Sequence, residues 1–278
     1  MGMRFFSTKD RPFHLGPYPL ERLKRTDVMP DLSAVPRSKQ LDFRAIETPH
    51  SLVNAMGEYQ AMMDAIREGV VNSTPATAPS DPQERSNHMK AFGYFQDTSM
   101  IGICELPTSA HLAEPMRNPD IDRLAHDIRT KQTKTLASGI DQIMAALKES
   151  IEAPLEAIDD HTHAIVLLVE HHRDPKAHEP GAEWILGTQD HRAALRSTET
   201  AVILAEYLHL LGFSARAHTA SSSDVDLNKL AVAAGLASVE KNRLFAPYLG
   251  EGFGLAVVTT NFAMAIDQPL APWDNQPN

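Results

Sequence analysis

Three groups of residues have types and spacings that bear on chemistry. His161 and His163 flank Thr162 at the entrance of an apolar run, and Glu170, His171, His172 and Asp174 stand at its exit. Side chains alternate along a strand, so His161 and His163 would share a face, as a metal pair requires. Spacing supplies no third ligand, and the His-Glu-x-x-His pattern of zinc proteases does not occur. Histidines between charged neighbours at a strand entrance are usually structural or solvated, so the reading is no metal. Cys104, the one cysteine, lies inside an apolar strand pattern. A reactive thiol needs an electropositive, partly exposed setting, so Cys104 reads as buried and inert. Ser221, Ser222 and Ser223 precede Asp224 at the mouth of a helix. Their hydroxyls could hold an anionic or amide group of a ligand; the competing reading is a polar loop that caps the helix. Gly250, Gly252 and Gly254 lack the spacing and the following helix of a dinucleotide fingerprint. They read as a loop needing positive φ, or as backbone kept clear for close approach. No nucleophile elbow or phosphate-binding loop is present.

Composition narrows the classes. The 278 residues are 42% hydrophobic and 22% charged, an ordinary soluble globular balance. A formal net charge of −10 argues against nucleic-acid binding, which needs a basic surface. No apolar run approaches the roughly 20 residues that span a bilayer. Pro12, Pro17 and Pro19 interrupt any signal-peptide core, and no twin-arginine pair precedes an apolar segment. A single cysteine suits a reducing compartment, so the expected location is the cytoplasm.

The elements that must position these residues centre on positions 198–267. Val202, Ile203, Tyr207, Leu210 and Leu211 recur at helical steps from Thr198, and Gly212 follows as a positive-φ stop. Residues 213–218 alternate as a short strand, and Asp226 caps a helix from Leu227 that ends at Gly235. A loop carries Phe245, Pro247 and Tyr248 before a buried strand from Leu255 to Thr259. Upstream, residues 1–49 read as a proline-rich arm with one short helix, 20–25, anchored by Phe5, Phe6, Phe13, Tyr18 and Leu20. Residues 50–278 form the body. Ser51 caps a helix whose expected core stripe is Leu52, Met56, Tyr59, Met63 and Ile66. Asp81 starts a second helix, residues 100–106 form a strand stopped by Pro107, and residues 118–134 and 136–147 are helical. Residues 164–169 are uninterrupted and mostly β-branched or leucine, so both faces of that strand should be covered.

Several of these pieces together resemble the corrinoid-binding part of reductive dehalogenases and their epoxyqueuosine reductase relatives. They are Ala205-Glu206-Tyr207-Leu208, Leu211-Gly212-Phe213-Ser214-Ala215-Arg216-Ala217-His218, residues 230–236, Pro247 to Gly250, and Val258-Thr259-Thr260-Asn261. At the other end, Arg4-Phe5-Phe6-Ser7, Arg11-Pro12 and His14 to Leu23 resemble the opening of the soluble, non-respiratory members. The resemblance implies an α+β fold, a nitroreductase-like mixed α/β sandwich with an extended N-terminal arm. It implies cobalamin as a possible cofactor, with Ser221, Ser222, Ser223, Phe245, Pro247 and Tyr248 as the residues that would line it. It assigns no catalytic residue, since Tyr94, Tyr207 and Tyr248 all qualify.

The sequence departs from that family where its chemistry sits. Catalytic members carry an arginine on the strand after the Tyr-Gly-Pro element; here Glu251 stands for the proline and Gly254 for the arginine. Asn261 replaces an aspartate, and the Gly-Arg pair expected after Gly235-Leu236 is missing. Family members hold two iron–sulfur clusters, and each needs about four thiolates. The expected role is therefore a scaffold. It would brace the catalytic, iron–sulfur half of a dehalogenase, or a second copy of itself, through the helix from Thr198 to Leu211. The alternatives are a cobalamin-binding dehalogenase domain fed electrons by a partner, and a flavin-dependent nitroreductase relative. With Cys104 as the sole thiolate, the purified chain should contain no iron–sulfur cluster; iron and acid-labile sulfide at near-stoichiometric levels would overturn this.

Overall fold

The computed structural model describes residues 10–131 and 157–272, with side chains described through 126 in the first span. Phe5, Phe6 and the helix expected over 136–147 lie outside the described residues. The described chain is α+β. Its main sheet contains β1 (Met100–Glu105), β3 (His163–Glu170), β4 (Ala215–His218) and β8 (Phe253–Thr260). They are antiparallel throughout, in the order β1-β3-β8-β4. Two small ribbons pair β2 (His111–Met116) with β5 (Ser223–Val225), and β6 (Ser238–Glu240) with β7 (Arg243–Phe245). The helices are α1 (Leu52–Ala65), α2 (Pro82–Phe95), α3 (Asp120–Lys131), the single turn α4 (Ala182–Ile185), α5 (Gln189–Leu210) and α6 (Leu227–Ala233).

Strand periodicity builds two cores, one on each face of the sheet. Ala164, Val166 and Leu168 point one way with Met100, Cys104, Leu255 and Val257, under α6 and Leu236. Ile165 and Leu167 point the other way with Ile101, Ile103, Ala256 and Val258, under α5, Met89 and Phe262. The strand expected to be covered on both sides is covered on both sides.

Two glycines set how closely the helices sit. A Cβ on Gly254 would lie 2.2 Å from the Ala193 carbonyl carbon and 2.6 Å from the Ala194 nitrogen. A Cβ on Gly102, on the opposite face, would lie 2.7 Å from the Ala234 carbonyl oxygen. Backbone occupies the space a side chain needs at both positions. Helix α5 is 22 residues long and begins nine residues before the expected start. Its first turns carry Asp190, His191, Arg192 and the small Ala193 and Ala194, which give no large-apolar period to read. It stops as expected, with Gly212 at φ 90°.

The stripe expected on α1 is the wrong face. Leu52, Tyr59 and Ile66 are exposed, and Met56 and Met63 are half-buried. The buried face is Val53, Gly57, Gln60, Ala61 and Asp64. Large apolar residues won on period, but the site offers little room: a Cβ on Gly57 would meet the Phe43 carbonyl oxygen at 2.7 Å. The buried partners are polar, which a hydrophobic period cannot detect.

The described part of the arm contains three one-turn 3-10 helices, Phe13–Leu15, Leu20–Arg22 and Leu32–Ala34, rather than one α-helix over 20–25. Tyr18, Leu32, Val35 and Phe43 are buried, whereas Phe13 is 60% exposed. Tyr18 stacks on Tyr248 at 5.3 Å and its hydroxyl donates to the Glu170 carboxylate. Arg25 donates to the carbonyls of Gly235 and Gln268, and residues 24–26 pair antiparallel with residues 269–271.

Two outcomes follow for stability. Gly254→Ala should lower the unfolding free energy by about 1–3 kcal/mol, because backbone must move to admit one methyl. Deleting residues 1–45 should lower Tm; an unchanged melting curve would make the arm a passive tail.

Candidate functional site

The polar residues singled out in the sequence converge on the β4 edge of the sheet. On β4, Ala215 and Ala217 enter the apolar core, so Arg216 and His218 face the other side, and all four are buried. The backbone N–H of Asp224 donates to His218 Nδ1 at 3.2 Å. That single donor fixes the tautomer of His218. Nδ1 must be the acceptor, so the proton sits on Nε2 and donates to Thr259 Oγ1 at 2.8 Å. The Thr259 hydroxyl also meets His161 Nδ1 at 2.7 Å, and His161 Nε2 lies 2.8 Å from Ser214 Oγ. Burial pushes His161 down to about 4, and burial again pushes His218 well below the usual histidine range. Asp224 Oδ2 accepts from Arg67 at 3.0 Å and Arg216 at 3.4 Å, and Arg216 also pairs with Glu68. Burial alone would raise Asp224, but the guanidinium groups of Arg67 and Arg216 hold it below the ordinary carboxylate value.

A second knot lies where α1 crosses the loop between β4 and β5. Asp64 Oδ2 accepts from Ser221 at 2.6 Å and from Asn118 at 2.8 Å. Its Oδ1 accepts from Thr219 at 2.7 Å and from Gln60 at 3.1 Å. Burial raises the Asp64 pKa, opposed by the bonds from Ser221, Thr219 and Asn118 and by Arg67. The Gln60 amide nitrogen also lies 3.1 Å from Thr198 Oγ1 and 2.9 Å from Ser221 Oγ. Among the described residues its carbonyl oxygen has no hydrogen-bond partner.

Ser221, Ser222 and Ser223 are therefore wall material, each at most 2% exposed. Ser221 serves Asp64, Ser222 donates to the Met116 carbonyl at 3.4 Å, and Ser223 donates to the Val225 carbonyl at 2.7 Å. Phe245, Pro247 and Tyr248 stand elsewhere, at the end of β7 and on the turn after it, where Tyr248 stacks on Tyr18 and donates to the Pro19 carbonyl at 3.2 Å. Tyr248 is 43% exposed and has φ 70°. Cys104 is buried, and burial with Asp267 and Glu105 pushes its thiol up to about 12. His163 bonds the neighbouring Thr162 hydroxyl and does not join His161. Among the described residues no three His, Cys, Asp or Glu side chains are grouped to hold a metal ion. Asn261 accepts from the Ser214 N–H at 3.0 Å and donates to Asp160 at 2.9 Å. Sequence reasoning missed Gln60, Asp64 and Asn118. The signal was Gln60 and Asp64 four apart on one helix face with Gly57, a polar stripe masked by larger apolar neighbours.

No protein-family model matches the sequence, and no curated protein matches it. Solved structures do. The catabolic reductive dehalogenase NpRdhA superposes with TM-score 0.73 and 36% identity, covering 99% of this chain and 33% of its own. A reductive dehalogenase structure described as suggesting a mechanism for B12-dependent dehalogenation gives TM-score 0.72 and 37% identity, covering 99% of this chain and 32% of its own. The chain is a relative of the reductive dehalogenases. It spans about one third of the length of those it matches. NpRdhA in complex with 3-bromo-4-hydroxybenzoic acid matches equally, at TM-score 0.72 and 37% identity over 98% of this chain. The reductive dehalogenase resemblance read from the motifs thus extends over the whole sequence. No described helix is long and apolar enough to cross a membrane.

The buried histidines give this dehalogenase relative a pH signature. Unfolded histidines bind protons near pH 6.5, whereas His161 and His218 resist protonation in the fold. Between those values the unfolded chain binds more protons, so stability is complete above about pH 6.5 and is lost as pH falls toward 4. Asp64 contributes with the opposite sign, and its window begins at the lower carboxylate value. The urea midpoint should fall from pH 7 to pH 5, and His161→Gln should flatten that fall. Asp64→Ala should cost about 3 kcal/mol, because it strands four buried donors.

Proposed function

We propose that the chain is a non-catalytic, corrinoid-fold scaffold unit of a dehalogenase-like protein. The observation that carries this is Gly254. The family resemblance puts a cation at that position, and the Ala193 carbonyl carbon stands 2.2 Å from where even a Cβ would be. An arginine there would require α5 to move off the sheet. A fixed cation opposite developing charge is worth about 3–4 kcal/mol, or two to three orders of magnitude in rate.

Cobalamin, when bound to a protein of this kind, supplies the redox chemistry at carbon–halogen bonds. Ser221, Ser222, Ser223, Phe245, Pro247 and Tyr248 would be the residues to hold it. In the described conformation they do not fit that role, because the serine hydroxyls are spent inside the chain and the turn carrying Tyr248 is occupied with the arm. The scaffold would instead brace a separate catalytic, iron–sulfur half in the cytoplasm, with a second copy of the chain as the other candidate partner. Ile203, Tyr207 and Leu210 on the outer side of α5 are available for such an interface. The same reading takes the sheet, covered by helices on both faces, as nitroreductase-like. A second reading, a cobalamin-binding dehalogenase domain supplied with electrons by a partner, draws on the relative described in terms of B12-dependent dehalogenation.

The chain incubated with hydroxocobalamin, and separately with FMN, should leave both absorption spectra as those of the free cofactors. With cobalamin and a chemical reductant, it should dehalogenate halogenated phenols no faster than free cobalamin. Turnover clearly above that control would sink the scaffold reading and favour the second.

A further inference from the structure

A groove of about 650 Å³ opens on the outer side of the molecule, away from the polar knots, between α2 and the end of α5. Pockets of this size hold small organic ligands. Its walls are flat and apolar: Met89, Phe92, Phe95, Tyr207 and Phe262 line it. Phe92 and Tyr207 stack with centroids 5.4 Å apart and rings 6° from parallel, which makes a rigid aromatic pair at the groove wall.

One cation stands in this apolar setting. The Arg85 guanidinium lies 4.7 Å from the centroid of the Phe262 ring and 5.9 Å from that of Phe213. Its Nε donates to the Pro79 carbonyl at 2.5 Å and its Nη1 to the Ala263 carbonyl at 3.1 Å. These two neutral acceptors and the ring fix the guanidinium without cancelling its charge. Among the described residues no carboxylate pairs with it, although most other arginines at the surface have such a partner. Nη2 has no acceptor among them.

We propose that this groove binds a flat aryl monocarboxylate, its ring system among the aromatic side chains beside the Phe92–Tyr207 pair and its carboxylate on Arg85. The walls select planarity and apolar area. The single remaining guanidinium edge suits one carboxylate better than a phosphate dianion, which calls for several donors. The groove shares Tyr207 with the α5 face offered above as an interface, but none of its residues belongs to the serine, Tyr248 or Gly254 groups on which the scaffold reading rests, so small-molecule binding to the isolated chain tests the groove separately.

Calorimetric titration of the full chain with 2-naphthoate should show saturable one-to-one binding. The neutral isostere 2-naphthamide should bind at least about tenfold more weakly, since a charge-assisted bond is worth at least that ratio. Arg85→Met should bring the acid down to the level of the amide, while Arg85→Lys should retain part of the preference. Ala91→Phe, which fills the groove, should abolish binding of both with the melting curve unchanged. Should Arg85→Met fail to fold, the comparison of acid with amide on the natural chain decides alone. Absence of saturable binding at millimolar 2-naphthoate, or equal affinity for acid and amide, would overturn the proposal.

Discussion

The structure depends on backbone meeting backbone where α5 crosses β8. Gly254 lets the helix descend until the Ala193 carbonyl lies where a side chain would otherwise stand. Once seated, α5 presents Ala201, Leu204, Ala205 and Leu208 to Ile165, Leu167, Ala256 and Val258. Small residues on both sides make the approach close, and dispersion contacts rise steeply as the separation falls. The Gly102 approach to Ala234 does the same for α6 on the opposite face. Both layers are thus fixed by the absence of side chains at two points.

Seating α5 that low has a cost at the sheet edge. Strand β4 is only four residues long, and its outer side must be closed by α1 and the loop from Thr219 to Ser222. These supply polar groups, so the edge is closed by hydrogen bonds instead of apolar area. Such networks fix one arrangement to the extent that their members are matched, and here the Gln60 carbonyl oxygen is left over among the described residues. Asp64 accepts four bonds, and one backbone N–H sets the tautomer of His218. Residues that look like ligand-binding hydroxyls in the sequence are here the means of closing the fold.

The legible part of the sequence was whatever rests on one-dimensional period or on local backbone chemistry. The doubly covered strand through Ile165 and Leu167, the caps Ser51, Asp81 and Asp226, and the stop at Gly212 all have that character. The family resemblance was also readable, because motif order survives where single motifs are common. The buried face of α1 was not, since Gln60 and Asp64 are core residues only by virtue of partners 54 to 161 positions away. The start of α5 was hidden for a related reason: Ala193 and Ala194 matter through their smallness against Gly254, and smallness has no hydrophobic period. Ser221 to Ser223 were found as a group, but their commitment to Asp64, Met116 and Val225 is a tertiary fact.

The pairing of residues 24–26 with 269–271 has a mechanical consequence. Lys24 meets Ala271 and Thr26 meets Pro269, so the two chain ends leave the clasp from the same edge. Tension applied between those ends would peel the clasp one bond at a time, as a zipper opens, instead of loading its bonds together in shear. The Arg25 guanidinium, anchored on Gly235 and Gln268, is the catch that resists the first step. Ahead of the clasp, Tyr18 ties the arm to Tyr248 and to Glu170, so a pull from the N-terminal side reaches the zipper only after that anchor has let go.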